Sequence, residues 1–389
     1  MKVLAGLRVL DFTWVLAGPY ATRILADFGA EVIKVGSRYL PGAREDSLSG
    51  YFNTWNRNKL SISLNLGKPE GREIAKKLVS LSDIVIENFS PRVMRNWGLE
   101  YERLKEVKPD LIMLSLSGFG QSGPWRNYTA FDSTIQALSG LTYLTTFPGK
   151  PPLGVGFAFA DHVAGLFAAL AILEALELRE QTGEGQFIDL SELEALCSLL
   201  EVAFLEFFAN GREAEPEGNK SQDFAPSGVY RCKGDDRWCA ISVASDEEWQ
   251  RFCEVVGLNL SEDERFATLK GRLEHSSELD KLVEEWTAKY TPQEVMSKLQ
   301  EAGVASGVVA SAEELASDPQ LKARGFFTQV EHPILGKITF DTTPIKLSET
   351  PANSFRPASF LGQDNEYVYG KLLGLSQDEI MRLTKEGVF

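Results

Sequence analysis

The sequence predicts an α/β chain, with a large parallel-sheet part and a smaller α+β unit. Three observations carry this prediction. Residues 7–35 read as strand, helix and strand within about 30 residues, the signature of parallel strands joined by a crossover helix. The strands that follow each run into a polar or glycine-rich loop. Beyond a polar, Pro- and Gly-containing stretch at 210–224 the texture changes to a hairpin followed by amphipathic helices.

The 389 residues are enough for a large core and two domains. Hydrophobic residues at 43% and charged residues at 24% are ordinary for a globular chain. With 55 acids against 40 bases the net charge is −15, which argues against nucleic acid as a partner. An anionic ligand stays possible, because local arginines outweigh a global sign.

Taken in order, residues 7–12 (LRVLDF) form a first strand. Gly18-Pro19 opens a helix, with Pro in its first turn, and Gly29 stops it. Residues 31–35 (EVIKV) make the next strand. The loop between them, TWVLAGP, lacks the G-x-G-x-x-G phosphate cradle, which sets aside a nicotinamide-dinucleotide enzyme. Helix at 68–81, strand at 83–87, short helices at 92–97 and 101–107 and strand at 111–117 continue the alternation. The loop at 118–124 (GFGQSGP) has three glycines and is suited to close backbone approach. A helix at 131–138 carries Asp132 in its first turn.

Residues 154–178 (GVGFAFADHVAGLFAALAILEALEL) are the most informative stretch. Residues 163–173 are apolar on nearly every side and read as a buried helix. That run is too short for a bilayer, which takes about 20 apolar residues, so no membrane partner is expected. Asp161 stands at its mouth. One reading is an N-cap, since Asp is preferred there. The other is a nucleophilic carboxylate kept ionised by the helix N-terminus, with Gly154 and Gly156 leaving room for a ligand. A strand at 187–190 and a helix from 191 to about 208 follow.

The smaller unit, 225–325, opens with a hairpin at 228–232 and 238–243. Helices follow at 246–256, 278–289 and 292–302. Strands at 303–310 and 337–340 lead back. An extended Pro/Ser-rich run at 350–362 and two helices, at 366–373 and 377–386, complete a return segment, 326–389, that rejoins the first part (1–209). Cys197, Cys232, Cys239 and Cys253 read as core thiols, because the six residues between Cys232 and Cys239 do not suit a zinc knuckle. No metal site is expected. No signal-peptide pattern is present, and a cytoplasmic location is expected. Among nucleophilic chemistries, G-x-S-x-G, Walker A and H-E-x-x-H are all missing. Carboxylate chemistry remains: a carboxylate attacks a thioester or ester to give an anhydride, dividing one hard transfer into easier steps.

Four blocks then stand out together: LRVLDFTWVLAGPYATRILADFGAEVIKV, IVIENFSPRVMRNWGL, LSLSGFGQSGP and FADHVAGLFAALAILEALELREQTGEGQFIDLS. In these blocks, their order and their spacing, the chain resembles the family III CoA-transferases, the group that includes formyl-CoA transferase, carnitine CoA-transferase and α-methylacyl-CoA racemase. The resemblance implies a Rossmann-like large domain built from both ends of the chain, a smaller α+β domain, and an open-ring subunit that interlocks with a second copy. A homodimer is expected, or a heteromer with a paralogous subunit. The partners implied are an acyl-CoA, with succinyl-CoA a candidate donor, and a small carboxylic acid. No permanently bound cofactor is expected, the CoA thioesters being substrates.

By residue match Asp161 falls on the family's catalytic aspartate. It would attack the acyl-CoA thioester to give an aspartyl anhydride and CoA thiolate. The thiolate would return to form an aspartyl-CoA thioester, which the acceptor acid then attacks. CoA contacts carry over to Val15, Arg38, Leu64, Asn88, Phe89 and Arg95, with the two arginines on phosphate. Many members end the second strand with glutamate, where this chain has Gly36. The racemase branch needs a second acid/base on the opposite face of the α-carbon. Its histidine before an aspartate is here Phe131 before Asp132, which cannot transfer a proton, so transfer is favoured over racemisation. A non-catalytic CoA-binding subunit is the third reading, against which Asp161 itself speaks. Gly120, Gln121, Trp125, Arg126, Tyr128, Phe131, Phe157 and Phe159 are the expected acceptor pocket, the aromatics for an apolar or aromatic acid and Arg126 for a second carboxylate.

Overall fold

The structure is a computed structural model and describes residues 2–38, 48–257 and 259–389. It divides into two compact units. The first comprises residues 1–143, 154–214 and 322–389, and the second residues 144–153 and 215–321. The short run 144–153, expected within the large domain, therefore belongs to the second unit.

The first unit is built on a six-stranded parallel sheet. Its strands are β1 (Arg8–Asp11), β2 (Glu31–Gly36), β3 (Leu60–Ser63), β4 (Ile84–Glu87), β5 (Ile112–Ser117) and β6 (Phe187–Ser191), in the order β3-β2-β1-β4-β5-β6. Its helices are α1 (Ala17–Asp27), α2 (Gly50–Asn56), α3 (Pro69–Ser80), α4 (Arg92–Trp97), α5 (Tyr101–Val107), α6 (Asp132–Leu138), α7 (Leu141–Leu144, which runs one residue into the second unit), α8 (Phe159–Thr182), α9 (Glu192–Cys197) and α10 (Glu201–Asn210). Strand order reverses between β1 and β4, and in an open parallel sheet a crevice forms outside the carboxyl ends at such a point.

Side-chain alternation along each strand sorts the core into two layers. Leu10, Ile33, Val85 and Met113 face one way, onto α3 and the chain's C-terminus, where Val368, Tyr369, Leu383 and Phe389 are buried. Tyr369 stacks on Phe389 at 3.8 Å between ring centroids. Val9, Val32, Ile84, Ile86 and Leu114 face the other way, onto α1 and α8. There Ala17 and Ala21 meet Ala164, Ala168 and Ala175. Small side chains let the two helices approach so closely that a Cβ on Gly165 would lie 2.8 Å from the carbonyl oxygen of Ala17. This explains why α8 is rich in alanine.

Three expectations change. The apolar helix runs 24 residues, not eleven, and by length and composition it is the one helix among the described residues able to cross a membrane. Its alanine stripe is nevertheless buried against the sheet and α1, as in a core helix. It is not buried all round, since Leu166, Leu170, Leu173 and Leu178 are exposed. The helix expected over 191–208 is two, broken at Ser198, whose hydroxyl donates back to the Ala195 carbonyl. The second of these, α10, buries none of its residues, although Val202, Leu205 and Phe208 are apolar. The sequence pattern also does not predict α2 and β3, because a four-residue strand with serine at alternate positions lacks an apolar run.

The second unit has an antiparallel sheet of β7 (Ser227–Arg231), β8 (Trp238–Ser242) and β9 (Ala305–Val308). Helices α11 (Asp246–Val256), α12 (Leu269–Glu274), α13 (Ser276–Thr287) and α14 (Pro292–Glu301) accompany it. Ser245 and Thr291 cap α11 and α14 by accepting a backbone N–H three residues on. Trp249, Phe252 and Trp286 centre its core, and Arg272 is buried over Trp249 while paired with Asp246. All four cysteines are free thiols. Short helices α15 (Ala312–Ser317) and α16 (Pro319–Ala323) precede a hairpin of β10 (Phe327–His332) and β11 (Gly336–Asp341). An extended run, a π-helical segment (Glu366–Leu372) and α17 (Gln377–Lys385) complete the chain.

Candidate active site

The loop after β1 is held from two sides. Asp11, the last residue of β1, is fully buried and accepts from the Thr13 N–H at 2.8 Å, the Thr13 hydroxyl at 2.5 Å and the Thr22 hydroxyl at 2.7 Å. Lys59 pairs with it at 3.1 Å. Burial pushes the Asp11 carboxyl up, but the Lys59 and Lys34 ammonium groups and the two hydroxyls hold it below the usual range. Just past β4, the Asn88 carboxamide clamps Trp14: it accepts the Trp14 N–H at 2.8 Å and donates to the Trp14 carbonyl at 2.9 Å. Between these grips Val15 adopts φ +63°. A β-branched residue in that region is strained, at a cost of about 1–3 kcal/mol, and persists only where its surroundings over-determine it.

Asp161 approaches the same loop from the other side. It is the third residue of α8, not its N-cap. The cap comes from elsewhere: Asp132 of α6 accepts the Ala160 N–H at 2.8 Å and is itself held by Gln136 at 2.6 Å. Freed from capping, the Asp161 carboxylate accepts the backbone N–H of Ala17 and shares a hydrogen bond with Glu192, the first residue of α9. Burial raises the Asp161 carboxyl to about 6, the nearby Asp132 charge adds to this, and the bonds to Glu192 and Ala17 partly offset it. Glu192 is driven higher, to about 8, first by burial and then by the Asp161 charge. Tyr51 of α2 feels the same carboxylate, and burial with that charge pushes its phenol to about 12.

Asp161 and Glu192 line a cavity of about 290 Å³ at the carboxyl ends of β1, β4 and β5, together with Trp14 and Ala17. Of the residues singled out in the sequence it gathers Val15, Asn88, Phe89, Arg126, Tyr128 and Phe131 around Asp161. A neighbouring cavity of about 320 Å³ is lined by Arg95, Gln121 and Arg126 with Glu87, whose carboxyl burial raises to about 7. Gly120 and Trp125 border a third, with Asp189, whose carboxylate accepts the Gln121 N–H at 2.9 Å.

Other expected residues are placed differently. Leu64 is 1% exposed within the sheet core, so its side chain is not available to a ligand; a residue just past β3 is pulled in by the apolar layer beneath. Arg38 is exposed in the turn after β2 and lines none of these cavities, and the adjoining residues 39–47 lie outside the described ones. Phe159 packs into the small core under α6, α8 and α9, and Phe157 sits edge-on to it at 5.8 Å, so neither lines the Asp161 cavity. Glu192, Glu87 and Ser117 were not legible as site residues. The available signal was positional: each lies at or just past the carboxyl end of a parallel strand.

The family model for CoA-transferase family III matches residues 4–365. The chain belongs to CoA-transferase family III. Over its full length it is 37% identical to the succinyl-CoA–D-citramalate CoA-transferase of Chloroflexus aurantiacus, covering 98% of that protein. It is 36% identical over 98% of its length to the alpha subunit of a succinyl-CoA–L-malate CoA-transferase from Chloroflexus aurantiacus, covering 91% of it. Among solved structures, a CAIB/BAIF family protein from Brucella suis superposes with a TM-score of 0.87 at 31% identity, over 95% of this chain and 99% of that one. The family III assignment makes the chain a CoA-transferase, an enzyme whose substrates are CoA thioesters.

Proposed function

We propose that this family III CoA-transferase moves CoA from an acyl-CoA donor to a carboxylic acid through Asp161. The observation that carries the reading is the placement of Asp161: partly exposed, uncapped, and lining the cavity at the sheet's switch point. Asp161 attacks the thioester carbonyl, the C–S bond breaks, and CoA leaves as thiolate with an aspartyl anhydride left behind. Thiolate then adds to the aspartyl carbonyl, releasing the donor's acid and forming an aspartyl-CoA thioester. The acceptor carboxylate attacks that thioester, and the returning thiolate takes the acceptor's acyl group. Backbone N–H groups of the glycine loop at 118–124 support the oxyanions.

A succinyl-CoA donor and a dicarboxylate acceptor fit this reading, because Arg126 is the cation lining the Asp161 cavity and the two relatives above are named for such substrates. Arg95 would take CoA phosphate, since it also borders a cleft lined by Arg72, Lys76 and Arg103. Racemisation is disfavoured by Phe131, which lines the cavity where a second proton carrier would be needed. The uncovered leucines of α8 and the unburied α10 support a second subunit, a like copy or a paralogue, as their cover.

The test is to incubate the protein with succinyl-, acetyl- and benzoyl-CoA, trap with hydroxylamine or borohydride, and map the adduct by mass spectrometry. A modified Asp161 is expected with at least one donor. No modified Asp161 with any of them overturns the mechanism, and deuterium wash-in at the α-carbon of a 2-methylacyl-CoA would restore the racemase.

A further inference from the structure

Glu192 is a buried acid that the transfer chemistry above leaves without a task. It is 6% exposed and lines the Asp161 cavity. Its carboxyl shares a hydrogen bond with Asp161, and its buried Oε1 meets no N–H or O–H donor of the protein. Ser117 Oγ, on a residue 8% exposed, is likewise buried without a partner and lines the same cavity. A buried carboxyl oxygen with no donor, on a group beside a second carboxyl, calls for a proton, and the unanswered Ser117 hydroxyl on the same cavity wall marks a place where a reacting group completes the bonding. Two carboxyl groups that share a hydrogen bond must hold a proton between them, because two carboxylates are both acceptors.

We propose that Glu192 is a catalytic residue that works as a neutral carboxylic acid: its O–H donates to Asp161 and stabilises the oxyanion formed each time the aspartyl carbonyl is attacked. This rests on the aspartyl mechanism above. When CoA thiolate adds to Cγ of Asp161, the C–S bond forms and the carbonyl electron pair moves onto the Asp161 oxygen. The oxyanion collapses, the bond to the acyl oxygen breaks, and a carboxylate leaves. When the acceptor carboxylate attacks the aspartyl thioester, the same oxygen takes the charge and thiolate leaves. In both steps the proton stays on Glu192, and the hydrogen bond strengthens as charge develops on its acceptor.

The surroundings keep this acid protonated. Facing it are Asp161 from α8 and Asp132 from α6, both of which oppose its ionisation, and burial opposes it more strongly still. Arg126 is the cation that lines the cavity. A carboxylic acid held neutral near pH 7 in this way donates a hydrogen bond as an amide does. It differs from an amide in one readable respect: it stops donating once ionised.

The test compares wild type with Glu192→Gln, which keeps a donor, and Glu192→Met, which removes it. Transfer kinetics use the donor that labels Asp161 in the trapping experiment. Glu192→Met is expected to lower kcat by about 10²–10³-fold, the usual loss for one oxyanion donor, with KM for acyl-CoA little changed. Glu192→Gln is expected to recover most of kcat near pH 7 and to keep it above pH 8, where wild type declines. Equal kcat in wild type and Glu192→Met, or a Glu192→Gln enzyme as slow as Glu192→Met, overturns the inference. Infrared difference spectra of wild type and Glu192→Gln provide a reading free of turnover. A protonated-carboxyl band that disappears from wild type as pH is raised through about 8, and that Glu192→Gln lacks, is expected. Absence of such a band also overturns the proposal. If wild type forms no aspartyl adduct, the transfer mechanism fails on its own, while the infrared band still reports whether Glu192 carries the proton.

Discussion

Asp11 and Asp161 grip the same loop with opposite electrostatics. Asp11 binds Thr13 and Asp161 binds Ala17, so both acids hold residues 13–17 in place. Asp11 is surrounded by Lys59, Lys34 and two hydroxyls and stays ionised below the usual range. Asp161 is raised to about 6 by burial and then by the Asp132 charge, which its bonds to Glu192 and Ala17 only partly offset. A buried acid answered by cations is architecture. A half-buried acid whose charged neighbours are other acids is held near its titration point, where it can gain or lose charge during a reaction.

Substituting each group should separate the two roles. The largest effect is expected from Asp161→Asn, with transfer reduced by at least about 10³-fold while thermal stability is kept or rises, since removing a crowded charge relieves repulsion. Steady-state kinetics and a melting curve on one sample check both halves; a substantial fall in stability would place Asp161 with Asp11. Lys59→Met is the mirror experiment. It leaves Asp11 buried with one ammonium fewer and should cost about 3–5 kcal/mol of stability, read from urea unfolding.

Glu87 sharpens the comparison through pH. Its carboxyl lies at about 7 in the fold, raised by burial, against an ordinary 4.5. A raised acid binds its proton more tightly in the native state. Its stabilisation is therefore full below about pH 4.5 and is lost as pH rises through about 7. The loss is on the order of 3 kcal/mol, and Glu87→Gln should abolish it, so that the variant is the more stable protein at pH 8. A stability difference independent of pH would contradict this. The smallest effect belongs to Asn88→Ala. Removing the clamp frees Trp14 and relaxes Val15, and a several-fold rise in KM for acyl-CoA is expected, with kcat less affected.

The strands of the large sheet were legible because each apolar run is bounded by polar or glycine-rich loops, and β1, β2, β4, β5 and β6 lie where that pattern predicts them. The carboxyl-end crevice was legible for the same reason. Elements without an apolar run, such as α2 and β3, were not. The length of α8 was missed because Glu174 and Glu177 interrupt its apolar pattern, whereas their exposed positions cost the helix nothing. Leu64 shows a different failure: a matched position says which residue is near a ligand, not which way its side chain points.

By itself the sequence determined the parallel-sheet class, the family, and Asp161 as the residue to watch, because local patterning and motif order are one-dimensional properties. Only the tertiary structure decided what Asp161 meets. Asp132 lies 29 residues before it and Glu192 31 residues after it, and the backbone brings both close enough to act on its carboxyl. Whether an acid is a cap, a salt-bridge partner or a group poised to titrate depends on burial and on charges a few ångströms away. Those distances are set by how the helices pack on the sheet.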